Sequence, residues 1–149
     1  MKREILFRGK RTDNGEWVEG FWAVLPTDEG EPEYTVIEPI DDEICLWHRP
    51  PVDPDTVGQY TGLKDRNGKR IFEGDICIWV DNDGEYDANC KYVVSWEQEE
   101  TGFYLQIYDN GEDCGLDYFG DGRDGLEIIG NIYDNPELLN HETTTRNGG

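Results

Sequence analysis

Residues 57–76, VGQYTGLKDRNGKRIFEGDI, constrain the fold more than any other stretch of the chain. Two short runs, 60–64 and 70–72, flank the sequence DRNG at positions 65–68. An aspartate that opens a turn and a glycine that closes it are typical of a four-residue turn. Gly74 then interrupts the pattern before the next apolar run, as glycine does at a bulge or a sharp corner of a sheet. The stretch therefore predicts a β-hairpin followed directly by another strand.

The rest of the chain repeats this arrangement of short strands between turn residues. An N-terminal hairpin is predicted from residues 5–11 and 16–25, which flank the turn sequence DNG at 13–15. Alternating apolar residues, without a long helical period, favour strands elsewhere. These strands are predicted at residues 34–39, 76–80, 91–97, 102–108 and 126–133. Short strands at this spacing predict a mainly β fold, either a small barrel or a sandwich.

Helix signals are confined to two places. Asn135 followed by Pro136 predicts a short C-terminal helix, with Asn as its cap and Pro at its first position. The alternative to an all-β fold is an α+β domain with one helix hidden in residues 53–62. In that alternative Asp53 caps the helix and Pro54 begins it.

The remaining segments are predicted to be connections. Residues 41–56, rich in Pro and Asp, are interpreted as a long connection, and the polar, acidic segments 81–91 and 109–124 as loops. Residues 141–149, HETTTRNGG, offer no apolar anchor and are predicted to be a disordered tail. The prediction is a single domain over residues 1–140.

The composition indicates a folded protein with an acidic surface. The 149 residues include 34 acidic and 13 basic ones, for a formal charge of −21. The 5 Trp, 8 Tyr and 5 Phe residues argue against a disordered chain, because acidic disordered proteins lack the aromatic residues of a core. No apolar run is long enough to span a bilayer, and the N-terminus lacks the apolar region of a secretory signal. A cytoplasmic protein that binds no membrane is therefore expected.

Motifs for metals and cofactors fail on their spacing, so no cofactor or metal site is predicted. Cys45 and His48 have the spacing of a zinc pair, but no second close pair completes four ligands. A calcium loop that begins at Asp81 would have glycine at its fourth position and Tyr92 at its twelfth, where glutamate is required. A phosphate loop needs a hydroxyl residue where Arg70 stands. The four cysteines are expected to be thiols.

Catalytic constellations are not recognisable either, and the protein is not expected to be an enzyme. A serine or cysteine nucleophile needs a basic partner, and the chain has only His48 and His141. Among 34 acidic residues some carboxylate pair will lie at a suitable separation by chance. Most of the five tryptophans are predicted to pack in a core or an interface, because the net charge opposes direct nucleic-acid binding.

The charge is unevenly distributed along the chain. Residues 1–70 carry 10 basic and 15 acidic residues, whereas residues 71–140 carry 2 basic and 18 acidic ones, a net charge of −16. A basic cluster on the central hairpin is the candidate partner-binding site; it consists of Lys64, Arg66, Lys69 and Arg70. The alternative is a solvated hairpin edge, where such charges discourage edge-to-edge pairing.

Three blocks of the sequence together resemble the YopX-like family of phages and prophages. They are FRGKRTDNGEWVEGFW at 7–22, VDPDTVGQYTGLKDRNGKRIFEGDI at 52–76, and LEIIGNIYDNPELL at 126–139. The resemblance implies a mostly β protein with a small SH3-like β-barrel, in which the EGDI step at 73–76 enters a barrel strand. It also implies a phage or prophage origin, and it implies no catalytic residues because none is established for the family.

The function predicted on these grounds is that of a phage accessory protein, a non-catalytic module that binds a host or phage protein. One alternative is an acidic mimic of nucleic acid that inhibits DNA- or RNA-binding proteins of the host. A second alternative is a metal-dependent hydrolase that uses the acidic loops. A further possibility is a homo-oligomer in which the basic hairpin of one copy meets acidic loops of the next.

Overall fold

A computed structural model describes residues 4–40, 43–44, 48–119 and 125–140. The predicted tail, 141–149, and Cys45 of the tested zinc pair lie outside these residues. The described strands are β1 (Phe7–Arg11), β2 (Trp17–Leu25), β3 (Glu33–Ile37), β4 (Pro39–Ile40), β5 (Glu43–Ile44), β6 (Val52–Lys64), β7 (Arg70–Phe72), β8 (Asp75–Trp79), β9 (Cys90–Glu97), β10 (Gly102–Asp109), β11 (Glu112–Tyr118) and β12 (Leu126–Asn131). A 3₁₀ helix follows at Pro136–Leu139.

The chain packs into two compact units, Met1–Tyr60 and Thr61–Gly149. In the first unit the strand order is β3-β2-β1-β6 with antiparallel neighbours. The predicted N-terminal hairpin is confirmed, with Phe7 opposite Gly20 and Lys10 opposite Trp17. Val18, Val36 and Val52 form the buried cluster of this unit. The prediction of one domain over residues 1–140 stays a prediction.

The alternative of a helix within residues 53–62 is wrong, since β6 runs through this segment. Between the pairs Arg8↔Gly58 and Lys10↔Asp53, β6 has four residues opposite one residue of β1, so the apparent helix start is a wide bulge. The Asp53 side chain accepts the N–H of Asp55 at 3.0 Å, as in an Asx turn. The bulge is joined to β1 because the N–H of Lys10 donates to the hydroxyl of Thr56 at 2.9 Å. The predicted connection 41–56 is therefore also wrong over its last residues.

The second unit is built on an antiparallel sheet with the strand order β11-β10-β9-β8-β12. The end of β6 and β7 form the predicted central hairpin, and its Thr61 hydroxyl donates to the carbonyl of Ile71 at 2.9 Å. The buried cluster of this unit takes residues from β7, β8, β9, β10 and β12 and adds Phe119, which follows β11; it comprises Ile71, Cys77, Val94, Leu105, Phe119 and Leu126. Cys77 is thus a buried thiol, as the sequence suggested, whereas Cys114 is exposed.

The corner at Gly74 is a tight turn between β7 and β8. Gly74 has a φ of +91°, which an L side chain rarely adopts. Its N–H donates to the carbonyl of Val94 and its carbonyl accepts the N–H of Ile132, at 2.8 and 2.9 Å. The buried carboxylate of Asp75 accepts the N–H of Phe72 at 2.8 Å. The predicted glycine break is therefore fixed from both sides by neighbouring strands.

The prediction of a loop over residues 109–124 is wrong for its first part, because β11 pairs with β10 along Glu112–Tyr118. Every residue of β11 is exposed. A strand with no buried face needs no alternation of apolar and polar residues, so the usual sequence signal is missing. Its pairing is fixed by the hairpin turn at Asn110 and Gly111, both with positive φ.

The predicted mainly β fold is confirmed: the described strands form two larger antiparallel sheets and the two-stranded sheet of β4 and β5. The sheet of the second unit ends at β11 on one side and β12 on the other. No closed barrel is found among the described strands, so the SH3-like barrel is not confirmed.

The C-terminal helix begins at Pro136 as predicted, but the Asn135 side chain accepts the N–H of Asn131 and does not cap the helix. Within the described ranges no helix is long and apolar enough to cross a bilayer.

Candidate functional site

The four basic residues predicted as a partner-binding site all lie on the central hairpin. Lys64 ends β6, Arg70 begins β7, and Arg66 and Lys69 lie in or beside the turn; each is exposed. Arg66 faces Glu127 of β12, with 3.9 Å between Nη1 and Oε1. The hairpin therefore brings the four cations together, and one of them lies within ion-pair distance of an acidic side chain.

A concave site lies elsewhere in the second unit, between the end of β8 and the start of β9. It is an open pocket of about 400 Å³, within the range of about 300–1,000 Å³ that is common for ligand sites. Its lining combines three aromatic rings, three carboxylates and one thiol; these belong to Trp79, Tyr86, Tyr92, Asp81, Glu85, Asp87 and Cys90. None of the four predicted basic residues lines it.

The pocket exists because β8 and β9 pair over only a short distance. The register joins Ile76 to Val93 and Cys77 to Tyr92 and does not continue to Trp79. Ile78 and Trp79 still pair with β12, and only after Trp79 does the chain leave the sheet through residues 80–89, where an isolated bridge between Val80 and Tyr86 closes the loop. The loop and the two strand ends enclose the pocket.

Trp79 forms one aromatic wall and is held against Gly125, the residue directly before β12. A Cβ added at Gly125 would lie 2.9 Å from Cε2 of the Trp79 ring and 3.0 Å from the Val80 carbonyl oxygen. The N–H of Val80 donates to the carbonyl of Gly125 at 2.8 Å, which fixes the backbone beside the ring. Even so, 42% of Trp79 is exposed. The indole is therefore positioned from behind by Gly125 and accessible from the pocket.

Tyr86 forms the second wall and is 57% exposed. Its backbone bridge to Val80 places it directly after the turn at 81–85. Large aromatic side chains with accessible faces are enriched at binding surfaces, because they offer much contact area for little conformational entropy. Trp79 and Tyr86 together make an aromatic surface within an acidic loop.

The turn 81–85, DNDGE, has the same hydrogen bonds as the turn 65–69, DRNGK. In each turn the first aspartate accepts, through Oδ1, the N–H groups two and four residues later, all at 2.9 Å. Gly68 and Gly84 both have a φ of +81°. The Asp81 carboxylate therefore organises its own turn, which gives a structural role to a residue that resembled a calcium ligand. The two turns differ in charge and share their geometry.

The carboxylates that remain for a ligand are those of Glu85 and Asp87. Oδ1 of Asp87 accepts the N–H of Asn89 at 2.9 Å, and neither carboxylate forms an ion pair within the part of the chain that the structure describes. Lys91 follows in the sequence, but its Nζ donates to the carbonyl of Ala88 at 2.9 Å. The rim of the pocket is therefore negatively charged.

The electrostatics of the pocket also affect Tyr92. Burial raises the pKa of Tyr92, and a hydrogen bond with Cys90 and the charges of Asp117 and Asp87 raise it further. Negative surroundings disfavour the ionised phenolate for the same reason that they favour a bound cation. The pocket is thus suited to a positively charged or neutral aromatic-stacking ligand and not to a phosphate.

Within the described ranges no three His, Cys, Asp or Glu side chains come together as metal ligands. His48 lies 3.4 Å from Glu38 through Nδ1.

Sequence reasoning missed this pocket. In a strand with alternating faces, Cys77 and Trp79 lie on the same face of β8. In the structure Cys77 is buried, whereas Trp79 is exposed. Of the other tryptophans, Trp22 stacks on Tyr34 at 6.0 Å, Trp96 is exposed, and Trp47 lies outside the described residues. A usable signal was present: an apolar strand that ends in Trp and is followed by an acidic turn and then Tyr.

The chain is similar to a known protein family and to solved structures. Residues 6–140 match the family model described as YopX protein. The chain is also similar to a crystal structure of protein EF1440 from Enterococcus faecalis, with a TM-score of 0.53 and 26% identity; the alignment covers 93% of this chain and 99% of that one. No curated protein matches the chain significantly.

Proposed function

This chain belongs to the YopX family, and from that premise we propose that it is a non-catalytic module that binds a protein partner. The observation that carries the proposal is the pocket whose accessible walls are Trp79 and Tyr86. Accessible aromatic residues in a concave site contribute strongly to protein recognition, and the carboxylates of the lining can orient a ligand.

The setting we propose for this activity is the cytoplasm of a bacterial host, where the protein acts as a phage or prophage accessory factor. The resemblance of the three sequence blocks to YopX-like proteins supports this setting.

The SH3-like barrel is likewise a proposal, supported by the hairpin of β6 and β7, the corner at Gly74 and the strand β8 that follows it. An experimental structure that includes residues 120–124 would test whether the strands close.

The proposal is tested by affinity capture from host cells with paired variants. Trp79→Ala and Tyr86→Ala remove the pocket walls, and Trp96→Ala removes an equally exposed tryptophan outside the pocket. The expected result is a stoichiometric partner that wild type and Trp96→Ala retain and both pocket variants lose. A partner retained by all four proteins, or repeated recovery of none, contradicts a protein-binding pocket.

A second contact is proposed on the central hairpin, at Lys64, Arg66, Lys69 and Arg70. The support is that these exposed cations lie on an otherwise acidic chain, where they could meet acidic groups of a partner. The double variant Lys64→Ser/Lys69→Ser is expected to slow association and weaken its dependence on salt. If association rates do not change, the second contact is contradicted, and the four residues are explained as a solvated hairpin edge.

A competing candidate is an acidic mimic of nucleic acid, which β11 favours. This strand is exposed along its length and carries Glu112, Asp113 and Asp117. Mimicry predicts salt-sensitive competition with DNA for a host protein, and loss of that competition when the three carboxylates become amides. The pocket proposal predicts that the same three amides, none of which lines the pocket, weaken binding much less than Trp79→Ala does, so the two candidates give different results.

A further inference from the structure

We propose that the pocket binds the guanidinium group of an arginine in an extended, basic segment of the partner. This inference rests on the proposed protein-binding function and names the side chain that the site would recognise. It follows from three features of the site: its aromatic walls, its carboxylates and the charge around it.

The aromatic walls favour a flat cation. A guanidinium is planar, is weakly hydrated and stacks on aromatic faces, and Trp and Tyr are the rings that attract cations most strongly. Trp79 is held from behind by Gly125, so its ring needs little ordering when a ligand stacks on it. The chain itself stacks an arginine on a tryptophan elsewhere, where Cζ of Arg8 lies 4.7 Å from the centre of the Trp17 ring.

The carboxylates provide the matching hydrogen-bond acceptors. Asp81 accepts two N–H groups of its own turn and Asp87 accepts one, from Asn89, each through Oδ1; Glu85 and Asp87 line the pocket without an ion pair in the described ranges. A carboxylate accepts two parallel hydrogen bonds from one guanidinium, a geometry that a lysine ammonium does not offer. An arginine side chain can therefore stack on the aromatic walls and donate hydrogen bonds to the carboxylates of the rim at the same time.

The net charge of the residues around the pocket indicates what kind of segment carries the arginine. Residues 71–140 have a net charge of −16, so a basic segment is attracted and an acidic or phosphorylated one is repelled. The same charge opposes the docking of a second copy of this acidic chain. The occupant to which these observations point is thus a basic segment of another protein.

The test is an NMR titration that follows the indole N–H signals of the five tryptophans, with Trp79 assigned by the variant Trp79→Phe. The probes are three blocked peptides that are identical except for arginine, lysine or the neutral isostere citrulline at the centre, each flanked by lysine and serine. The arginine peptide is expected to shift the Trp79 signal in a saturable way and to bind at least about threefold more tightly than the lysine peptide. The citrulline peptide is expected to be weaker still.

Variants of the protein distinguish binding at this pocket from general electrostatic attraction to the acidic chain. Tyr86→Ala is expected to weaken binding of the arginine peptide by about two- to fivefold. Glu85→Gln and Asp87→Asn are each expected to weaken it by a similar factor. The matched control is Asp83→Asn, which removes one charge from the same turn at a residue outside the pocket lining and is expected to change binding by less than about twofold.

The outcomes are decisive in both directions. Equal binding of the arginine and citrulline peptides, equal binding of arginine and lysine, or an Asp83→Asn effect as large as that of Glu85→Gln would each overturn the arginine proposal. If no peptide binds while Trp79→Ala and Tyr86→Ala still lose a captured partner, this inference fails and the protein-binding function stands. If the pocket variants also retain every partner, both fail.

Discussion

The N–H of Ile128 donates a hydrogen bond of 3.1 Å to Oδ2 of Asp65, and 63 positions separate the two residues in sequence. Oδ1 of the same carboxylate accepts the N–H groups of Asn67 and Lys69. Asp65 is only 7% exposed. One buried side chain thus forms the hairpin turn and attaches it to β12, and the N–H of Arg66 adds a bond of 2.8 Å to the carbonyl of Leu126.

Replacing Asp65 is expected to cost more stability than replacing its counterpart Asp81. Asp65→Ala leaves three backbone N–H groups without their acceptor, and we expect it to lower the free energy of unfolding by about 2–4 kcal/mol. Asp81→Ala removes the same turn bonds in an exposed loop, where water replaces them, and we expect a loss of about 1 kcal/mol or less. Urea titrations of both variants provide the comparison; equal losses would contradict the attachment to β12.

The wide bulge of β6 is expected to depend on Thr56. Thr56→Val keeps the shape of the side chain and removes the acceptor of the Lys10 N–H, so we expect a loss of about 1–2 kcal/mol in thermal or urea unfolding. Thr12→Val, at an exposed turn position, is the control and should stay within about 0.5 kcal/mol of wild type. A neutral Thr56→Val would mean that the bulge needs no side-chain support.

The position of Trp79 is expected to depend on the missing side chain at Gly125. Gly125→Ala would place a methyl group 2.9 Å from the indole, so the ring must shift, and overpacking of this kind costs about 1–3 kcal/mol. The readouts are the Trp79 indole signal and the unfolding midpoint. Gly102→Ala, where the nearest atom is 3.8 Å away, is the control and should leave both readouts unchanged. An unshifted indole in Gly125→Ala would show that the ring is not held from behind.

Stability is expected to fall at alkaline pH because of Tyr92. Its pKa in the folded protein is raised, chiefly by burial, whereas an unfolded tyrosine titrates near pH 10. Above about pH 10 the unfolded chain loses its phenolic proton while the folded chain keeps it, so the free energy of unfolding decreases as the pH rises. The contribution of this group is therefore complete below pH 10 and is lost above it.

Urea midpoints between about pH 8 and 11 measure this loss. Tyr92→Phe carries no ionisable group and should flatten the alkaline decline, whereas Tyr118→Phe, at an exposed position, should not. If the decline is identical in Tyr92→Phe, its cause lies in other groups.

Much of the local structure was predictable because it is encoded within a few consecutive residues. The turn sequences DNG and DRNG identified the hairpins of β1 and β2 and of β6 and β7, and both turns have glycine with positive φ at Gly15 and Gly68. Asn135 and Pro136 marked the start of the short helix. The same reasoning failed at Asp53-Pro54, where a helix start and an Asx turn in a bulge have the same local sequence.

The candidate site was the least predictable part. The basic cluster was visible as a run of charges, but the pocket depends on where β8 and β9 stop pairing, and a linear pattern does not contain that information. β11 was missed because a strand that buries neither face has no apolar alternation.

The sequence by itself determined the family, the mainly β class, the hairpin turns and the acidic charge of the second half, since each depends on residue type and short spacing. Only the tertiary structure decided that Asp65 attaches its turn to β12, that Thr56 bridges a bulge, and that Trp79 and Tyr86 face a shared acidic pocket. These features join residues that are distant in the chain or depend on strand register, and they are fixed by packing and hydrogen bonds that form only when the sheets assemble.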